Sequence, residues 1–381
     1  MSAKKTNRIL ILGGYGNAGR LIAELLLREE KSIQLIIAGR NLAKAERLAN
    51  ELNGKFNTTQ ASACVVDATD SQRLQAALDG VDLVVVAAST SQFVKEVATA
   101  AIDTGSDYLD IQLSLNTKLD ALRSLQSKIE KAGCCFITDG GFHPGVPAAL
   151  VRYAASFFDR MDRANVFSFM RINWSAYSFS DATLMEMMTE FRHYRPIFFR
   201  QGKWHEGGWS SYRLVDFGQP WGKKYCAPMM MEEMRSLPEL LPSLQETGFF
   251  VSGFNWFTDY VLMLPLMLGL KIFPRHSLKP AAKLFFASLK AFSKPPFITI
   301  LLMNAYGLKN GALLGRQITL WHEDPYRLTA IPAVACLRQY LHGPIRQPGL
   351  WFQGTVVAPD QFIADLKQLG LHFKVAGLNE S

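Results

Sequence analysis

The sequence predicts an α/β protein, with an N-terminal doubly wound parallel sheet followed by a second, mixed α/β domain. Three observations predict it. The apolar run Arg8–Leu12 leads into Gly14-Tyr-Gly-Asn-Ala-Gly19 and then into the strong helix formers of Arg20–Arg28. Short apolar runs and helical stretches alternate from there to Asp139, the order of successive βαβ units. Beyond Ala164 the pattern changes to alternating aromatic segments, beginning with Asn165–Trp174, which read as antiparallel strands.

The first strand and helix enclose a dinucleotide fingerprint. Gly14, Gly16 and Gly19 form G-x-G-x-x-G, with Tyr15, Asn17 and Ala18 between them. The first glycine allows the tight turn, the second lets backbone approach a pyrophosphate, and the third lets helix and strand pack closely. The helix start then offers free N–H groups and a positive dipole end to the phosphates. The alternative is a tight βα turn without a ligand. The second strand, Ile33–Arg40, ends without the acid that holds a ribose 2′-hydroxyl in NAD sites. Arg40 stands in its place, with Lys44 one helical turn on. A guanidinium and an ammonium suit a 2′-phosphate, which selects NADP(H) over NAD(H) unless Arg40 is only a solvated surface side chain.

The remaining elements of the first domain follow in order. Asn41–Asn53 is helical, with Leu42, Ala45, Leu48 and Leu52 on one side. Ala63–Asp67 is a third strand, and Asp67 either faces the adenine or caps the helix Ser71–Leu78. Val81–Ala88 is apolar throughout, as a parallel strand covered on both faces should be. Ala88 and Ser89 close it on the nicotinamide side. A helix at Phe93–Thr104, a strand at Asp107–Asp110, a helix at Leu115–Ala132 and a strand at Cys134–Asp139 complete the alternation.

Asp139-Gly-Gly-Phe-His-Pro-Gly-Val-Pro147 breaks it with three glycines and two prolines. It is a shaped turn at the carboxyl end of a strand, where α/β sheets place ligands. His143 in this turn is the candidate catalytic residue: a general acid, a ligand for a substrate carboxylate, or a histidine that only bonds backbone. The helix from Pro147 carries proline in its first turn. In the second domain, Asn173 and Trp174 at the end of the first strand are candidate substrate contacts. A helix at Ser180–Arg192, a hairpin around Gln201-Gly202 and a strand at Tyr212–Phe217 follow.

The segment 254–306 is unusually apolar, but Asp259, Pro265 and Lys271 bound or interrupt its first run, and neither run reaches the ~18–20 residues of a spanning helix. Between the runs, Lys279, Lys283, Lys290 and Lys294 fall within about 60° on a helix, opposed by Leu284, Phe285, Leu289 and Phe292. Such a helix lies on a membrane surface, packs on its own domain or a second subunit, or covers an apolar substrate. A strand at Gly315–Trp321, a helix at Pro325–Leu341, a strand at Gly349–Gln353 and a helix at Pro359–Leu369 follow, and the last twelve residues read as loose.

Composition narrows the classes. Apolar residues make up 49 % of the 381, enough for a sizeable core. The net charge of +8 could suit an anionic cofactor, a membrane surface or nucleic acid, but no nucleic-acid module is present and the basic residues are scattered outside Lys279–Lys294. Five cysteines form neither a disulfide framework nor a zinc spacing, so no metal is expected and a reducing compartment is. Met1–Lys5 runs straight into the first strand without a signal-peptide pattern, which points to the cytoplasm, with peripheral attachment to the inner face of a membrane if Lys279–Lys294 binds lipid.

The chain resembles the saccharopine dehydrogenase-like oxidoreductases, the NADP-dependent saccharopine reductase branch in particular. The matching pieces are Gly13–Gly19, Ala38-Gly-Arg40, Asp139–Pro147, Phe198–Trp204, Leu328–Ala335 and Pro348–Trp351. The resemblance implies an NADP-binding Rossmann domain over 1–145 and a substrate and dimerisation domain over 146–323. It further implies that a C-terminal segment, 324–381, returns to the Rossmann domain, and that the protein is a homodimer. Saccharopine-forming members look like Gly-x-Asp-Pro-Gly at the turn, whereas this chain has Gly141-Phe-His-Pro-Gly145, which suits an anionic or neutral substrate group better than an ammonium.

Three readings of function follow. The first is an NADP(H)-dependent oxidoreductase that transfers hydride to or from a C=N (opine-like) or C=O bond of a small molecule. The second is a membrane-associated reductase of an isoprenoid or acyl lipid. The third is a non-catalytic NADPH-binding sensor or scaffold.

Overall fold

The computed structural model describes residues 6–273, 278–343 and 345–378. Met1–Lys5 and the last three residues lie outside the described residues, as do four inside the apolar segment.

The first sheet grows from short strands, buried through its centre and exposed at the edge strand Ala61–Val65. The strands are β1 (Asn7–Leu12), β2 (Ile33–Gly39), β3 (Ala61–Val65), β4 (Leu83–Val86), β5 (Asp107–Asp110) and β6 (Cys135–Thr138). The helices between them are α1 (Asn17–Glu29), α2 (Leu42–Phe56), α3 (Ser71–Leu78), α4 (Val94–Thr104), α5 (Asn116–Ser124) and α6 (Gln126–Ala132). The single helix expected over Leu115–Ala132 is two, broken at Leu125. All pairings are parallel, and Leu12 of β1 lies opposite Ala38 of β2 on one side and Val86 of β4 on the other. The strand order is β15-β6-β5-β4-β1-β2-β3, where β15 (Gly349–Phe352) comes from the C-terminal part of the chain. The direction of winding reverses between β1 and β4. In open α/β sheets that switch point opens the crevice where ligands bind.

The second sheet is mixed. After α7 (Pro147–Ala155) come β7 (Arg160–Arg171), α8 (Asp181–Arg192), β8 (Ile197–Arg200), β9 (Lys203–Glu206), β10 (Arg213–Asp216) and β11 (Lys223–Met229). Then follow α9 (Leu237–Leu240), β12 (Glu246–Ser252), a π-helical turn at Thr258–Leu262, α10 (Met263–Ile272), α11 (Leu278–Phe292), β13 (Ile298–Lys309) and β14 (Ala312–His322). The sheet runs β10-β11-β12-β7-β13-β14-β16, where β16 is His372–Gly377, with β8 on β12 and β9 on β8. Gln201 and Gly202 both take positive φ, which a two-residue hairpin between β8 and β9 requires. One face packs Phe167, Phe169, Phe198, Phe250, Ile300 and Leu302 into an aromatic core.

The chain closes with α12 (Pro325–His342), β15, α13 (Gln353–Val356), α14 (Pro359–Gln368) and β16 (His372–Gly377). Two compact units result: Met1–Val146 with Thr329–Leu369, and Pro147–Leu328 with Gly370–Ser381. The tail expected to be loose forms β16 instead, an edge strand that pairs with β14 of the second sheet. Its half-exposed, weakly alternating residues hide it in the sequence.

In the second unit one expectation changes and one open alternative is selected. β7 ends at Arg171, so Asn173 and Trp174 follow the strand rather than lie on it. Trp174 is only 8 % exposed and packs against Phe179, Phe254 and Phe286, so its indole belongs to the core and is not a free substrate contact. In α11, Phe285, Phe286 and Leu289 are buried in the same cluster as residues of α8 and α10. The helix therefore packs on its own unit and does not offer this face to a lipid. Leu284 of α11 is exposed, and before the helix lies a stripe of exposed apolar side chains, Trp256, Tyr260, Leu264, Leu268 and Ile272, spaced four apart and 49–82 % exposed. Among the described residues no helix is long and apolar enough to cross a membrane.

Candidate functional site

The switch point of the first unit is built from glycines that admit no side chain. Gly13 has φ +82°, and a Cβ there would meet the Ala88 Cβ at 2.7 Å, because the ends of β1 and β4 nearly touch. A Cβ on Gly19 would strike the Gly13 carbonyl, and one on Gly14 would come within 3.0 Å of the Ile11 carbonyl. Helix α1 starts directly behind this loop. Its N-cap is Gly16, no side chain caps it, and its first turn holds no acid. N–H groups that a Ser or Asp would have satisfied are thus left toward the loop, the arrangement that binds phosphate.

Tyr15 ties this loop to the end of β2. Its ring lies where a Cβ on Gly39 would come within 2.6 Å, and its hydroxyl accepts the Asn41 N–H at 3.0 Å. Asn41 caps α2 by accepting from the Lys44 N–H at 3.0 Å. Arg40 and Lys44 are exposed beside this cap, and Arg40 makes no hydrogen bond or ion pair among the described residues. Asp67 is occupied locally. It accepts from the N–H and hydroxyl of Thr69 at 3.0 and 2.9 Å, bonds that hold its carboxyl below the usual range, with Arg40 and Arg73 assisting. The cap of α3 is Asp70, so Asp67 does not fill that role. At the end of β4, the Ala88 carbonyl accepts from Gln112 Nε2 at 2.9 Å, and Ser89 is half-buried beside it. The glycine loop and the uncapped start of α1 lie at the switch point, with Arg40 and Lys44 exposed beyond the end of β2; a glycine cradle, an uncapped helix and a nearby guanidinium fit NADP(H).

The turn after β6 is held from beneath by an ion cluster. Lys118 of α5 is fully buried, and its Nζ lies 2.6 Å from Asp139 Oδ1 and 2.8 Å from Asp110 Oδ1. Burial alone would lower the Lys118 pKa, but the two carboxylates outweigh it and raise it. Burial raises the Asp139 carboxyl against the pull of Lys118. Ser114 donates to Asp139 and Thr138 to Asp110, so both acids keep further donors. Asp139 takes φ +55°, and the following Gly140 donates to the Asp110 carbonyl at 2.8 Å. Gln353 of α13 then clasps Gly141. A Cβ on Gly145, φ +122°, would fall within 2.5 Å of both Gln353 Nε2 and the Gly141 carbonyl.

This frame presents His143, which is half-buried beside the Phe142 ring at 4.7 Å. Burial pushes the imidazole down to about 4. A hydrogen bond to its own backbone opposes this in part, and desolvation works against the charged form that a general acid would use. Lys118, Asp110 and Gln353 had no signal in the sequence beyond an acid at the end of a buried strand, which needs a partner. Asn173 is exposed in the second unit. Among the described residues no group of three His, Cys, Asp or Glu side chains could hold a metal ion.

Comparison with known proteins agrees with this geometry. Residues 9–137 match the family model described as the saccharopine dehydrogenase NADP binding domain. A carboxynorspermidine synthase of Vibrio cholerae serotype O1 is 26 % identical over 412 residues, covering 96 % of each chain. Saccharopine dehydrogenase (L-Glu forming) of Saccharomyces cerevisiae superposes with a TM-score of 0.71 at 17 % identity, over 98 % of this chain and all of that one, a likeness of fold.

Proposed function

We propose that the chain, whose residues 9–137 match the saccharopine dehydrogenase NADP binding domain, is an oxidoreductase of that type that reduces a C=N bond between an amine and a carboxylate-bearing carbon, or runs that reaction in reverse. The observation that carries this is the turn that presents His143, framed by the Gln353 clasp on Gly141 and the Lys118–Asp139 pair, with burial disfavouring the charged ring. When bound, NADPH supplies the hydride. An iminium nitrogen already holds its proton, so its reduction asks for no acid from the chain. A ketone would need a proton on its oxygen, which an uncharged imidazole supplies poorly. In this reading the His143 ring orients the substrate at the head of the turn. The names of the relatives, a carboxynorspermidine synthase and a saccharopine dehydrogenase, fit a carboxylated amine as the product class.

The test begins with fluorescence titration by NADPH and NADH. Loss of NADPH absorbance is then followed with amine and α-keto acid pairs, each partner also alone. Turnover that needs both partners supports the C=N reading. Equal turnover with the carbonyl alone replaces it with C=O reduction. Tight NADPH binding without turnover leaves a non-catalytic sensor.

The exposed stripe Trp256–Ile272 favours a second property, contact with a further surface. It is where a homodimer or a membrane-bound reductase would make contact, in place of Lys279–Lys294. Light scattering at several concentrations tests the first. Co-sedimentation with anionic vesicles, before and after Leu264→Glu, tests the second.

A further inference from the structure

The second unit holds a cavity of about 530 Å³ that the oxidoreductase reading does not use. It opens beside the end of β7 and the start of β11, against the loop 253–260 and the end of α11. Its size is that of a small-molecule site. Three cations line it: Arg171, Lys224 and Lys294. None of them enters an ion pair among the described residues. Arg171 is held over aromatic faces, 5.4 Å from the Trp221 ring and 5.8 Å from Phe169, and Lys224 stands 5.9 Å from the Phe169 ring. Stacking of this kind fixes a cation's position without neutralising it.

Two residues of the lining, Asn255 and Ser293, each carry an unsatisfied buried polar atom behind the wall. Asn255 Nδ2 and Ser293 Oγ are buried and have no hydrogen-bond partner. Such groups are rare in folded proteins and call for an explanation. One acid is present, Asp259, and Lys224 is near enough to oppose the upward push of burial on its carboxyl. Asp259 accepts the Phe254 N–H at 2.9 Å, and its carboxylate packs on Gly253, where a Cβ would overlap it. With three cations against one acid, the lining has an excess of positive charge. Trp256 and Tyr260 complete the wall and also begin the exposed apolar stripe of α10.

We propose that this cavity binds an anionic amphiphile of small-molecule size, with its carboxylate or phosphate head among Arg171, Lys224 and Lys294 and its apolar body against Trp256 and Tyr260. The cations supply the charge that holds the head group, and the two aromatic rings supply apolar surface for the tail.

The test is calorimetric titration of the full chain with octyl phosphate and octanoate, with octanol, octyltrimethylammonium and inorganic phosphate as comparisons. Saturable binding of one anionic octyl compound at one site is expected, with the neutral, cationic and tail-less probes weaker. Arg171→Gln with Lys224→Gln should weaken it about tenfold or more, as charge-assisted bonds are lost. Lys294→Glu, on an exposed side chain that puts no folding at risk, should weaken it in the same direction, and Lys283→Gln should leave it unchanged. NADPH titration of each variant should match wild type. Absence of saturable binding by either anion, equal binding of the cationic probe or of phosphate alone, or an undiminished affinity in Lys294→Glu and the double variant would each overturn the proposal.

Discussion

Gln353 grips Gly141 by both of its backbone groups: Oε1 accepts the Gly141 N–H at 3.2 Å, and Nε2 donates to the Gly141 carbonyl at 3.0 Å. Both residues are buried, so nothing else replaces these bonds. Gln353→Leu should therefore leave two buried backbone groups unpaired and cost on the order of 2–4 kcal/mol in urea unfolding. A change under about 1 kcal/mol would mean that water or a neighbour takes over the bonds.

Lys118 is the counter-ion of two buried carboxylates. Removing it with Lys118→Met strands both, and should cost about 3–5 kcal/mol. Asp139→Asn keeps the Lys118–Asp110 pair and should cost clearly less. Equal losses in the two variants would show that the carboxylates do not depend on Lys118.

His143 gives the stability curve a sign. Its folded pKa, about 4, lies below its ordinary 6.5. Above pH 6.5 the ring is neutral in both states and contributes no slope. As the pH falls from there toward 4, the unfolded chain takes up a proton that the folded one refuses, so stability drops. At about 1.4 kcal/mol per unit the ceiling is roughly 3 kcal/mol. Unfolding free energies of wild type and His143→Asn should diverge across that window and run parallel above it. Parallel curves throughout would place the group in water.

Arg40 should separate the two nicotinamide cofactors. Arg40→Ala should cost NADPH about 1.5–3 kcal/mol of binding and leave NADH nearly unchanged. Equal losses for both nucleotides would assign Arg40 to some part of the cofactor other than the 2′-phosphate.

The parts of this site that could be read in the sequence were those whose reason is local. A glycine must follow β1 because the backbone turns there, and Arg40 follows β2 because the strand ends there. The supports of His143 are different. Lys118 stands 21 residues from Asp139 and Gln353 stands 212 from Gly141, and no periodicity links either pair. The first sheet was legible because its strands are short, apolar and separated by helices. β11 and β12 were not, because nothing in their stretch repeats with a clear period. In α10, apolar residues surround the helix, so the pattern could not say which of them would face solvent. In α11 the lysines were read correctly as exposed, while the Phe side proved to be internal packing.

The chain passes between its two units three times, at Val146/Pro147, Leu328/Thr329 and Leu369/Gly370. No single scission therefore yields either unit whole. A fragment ending at residue 146 would lose β15, baring the edge of β6, and would lose the clasp on Gly141. A fragment lacking only the tail after residue 369 would bare β14 instead. Each would carry an open strand edge of the kind that recruits other chains. Nicking in a loop should accordingly convert this protein into aggregates rather than into two working halves, and tags or fusions are best kept to its ends.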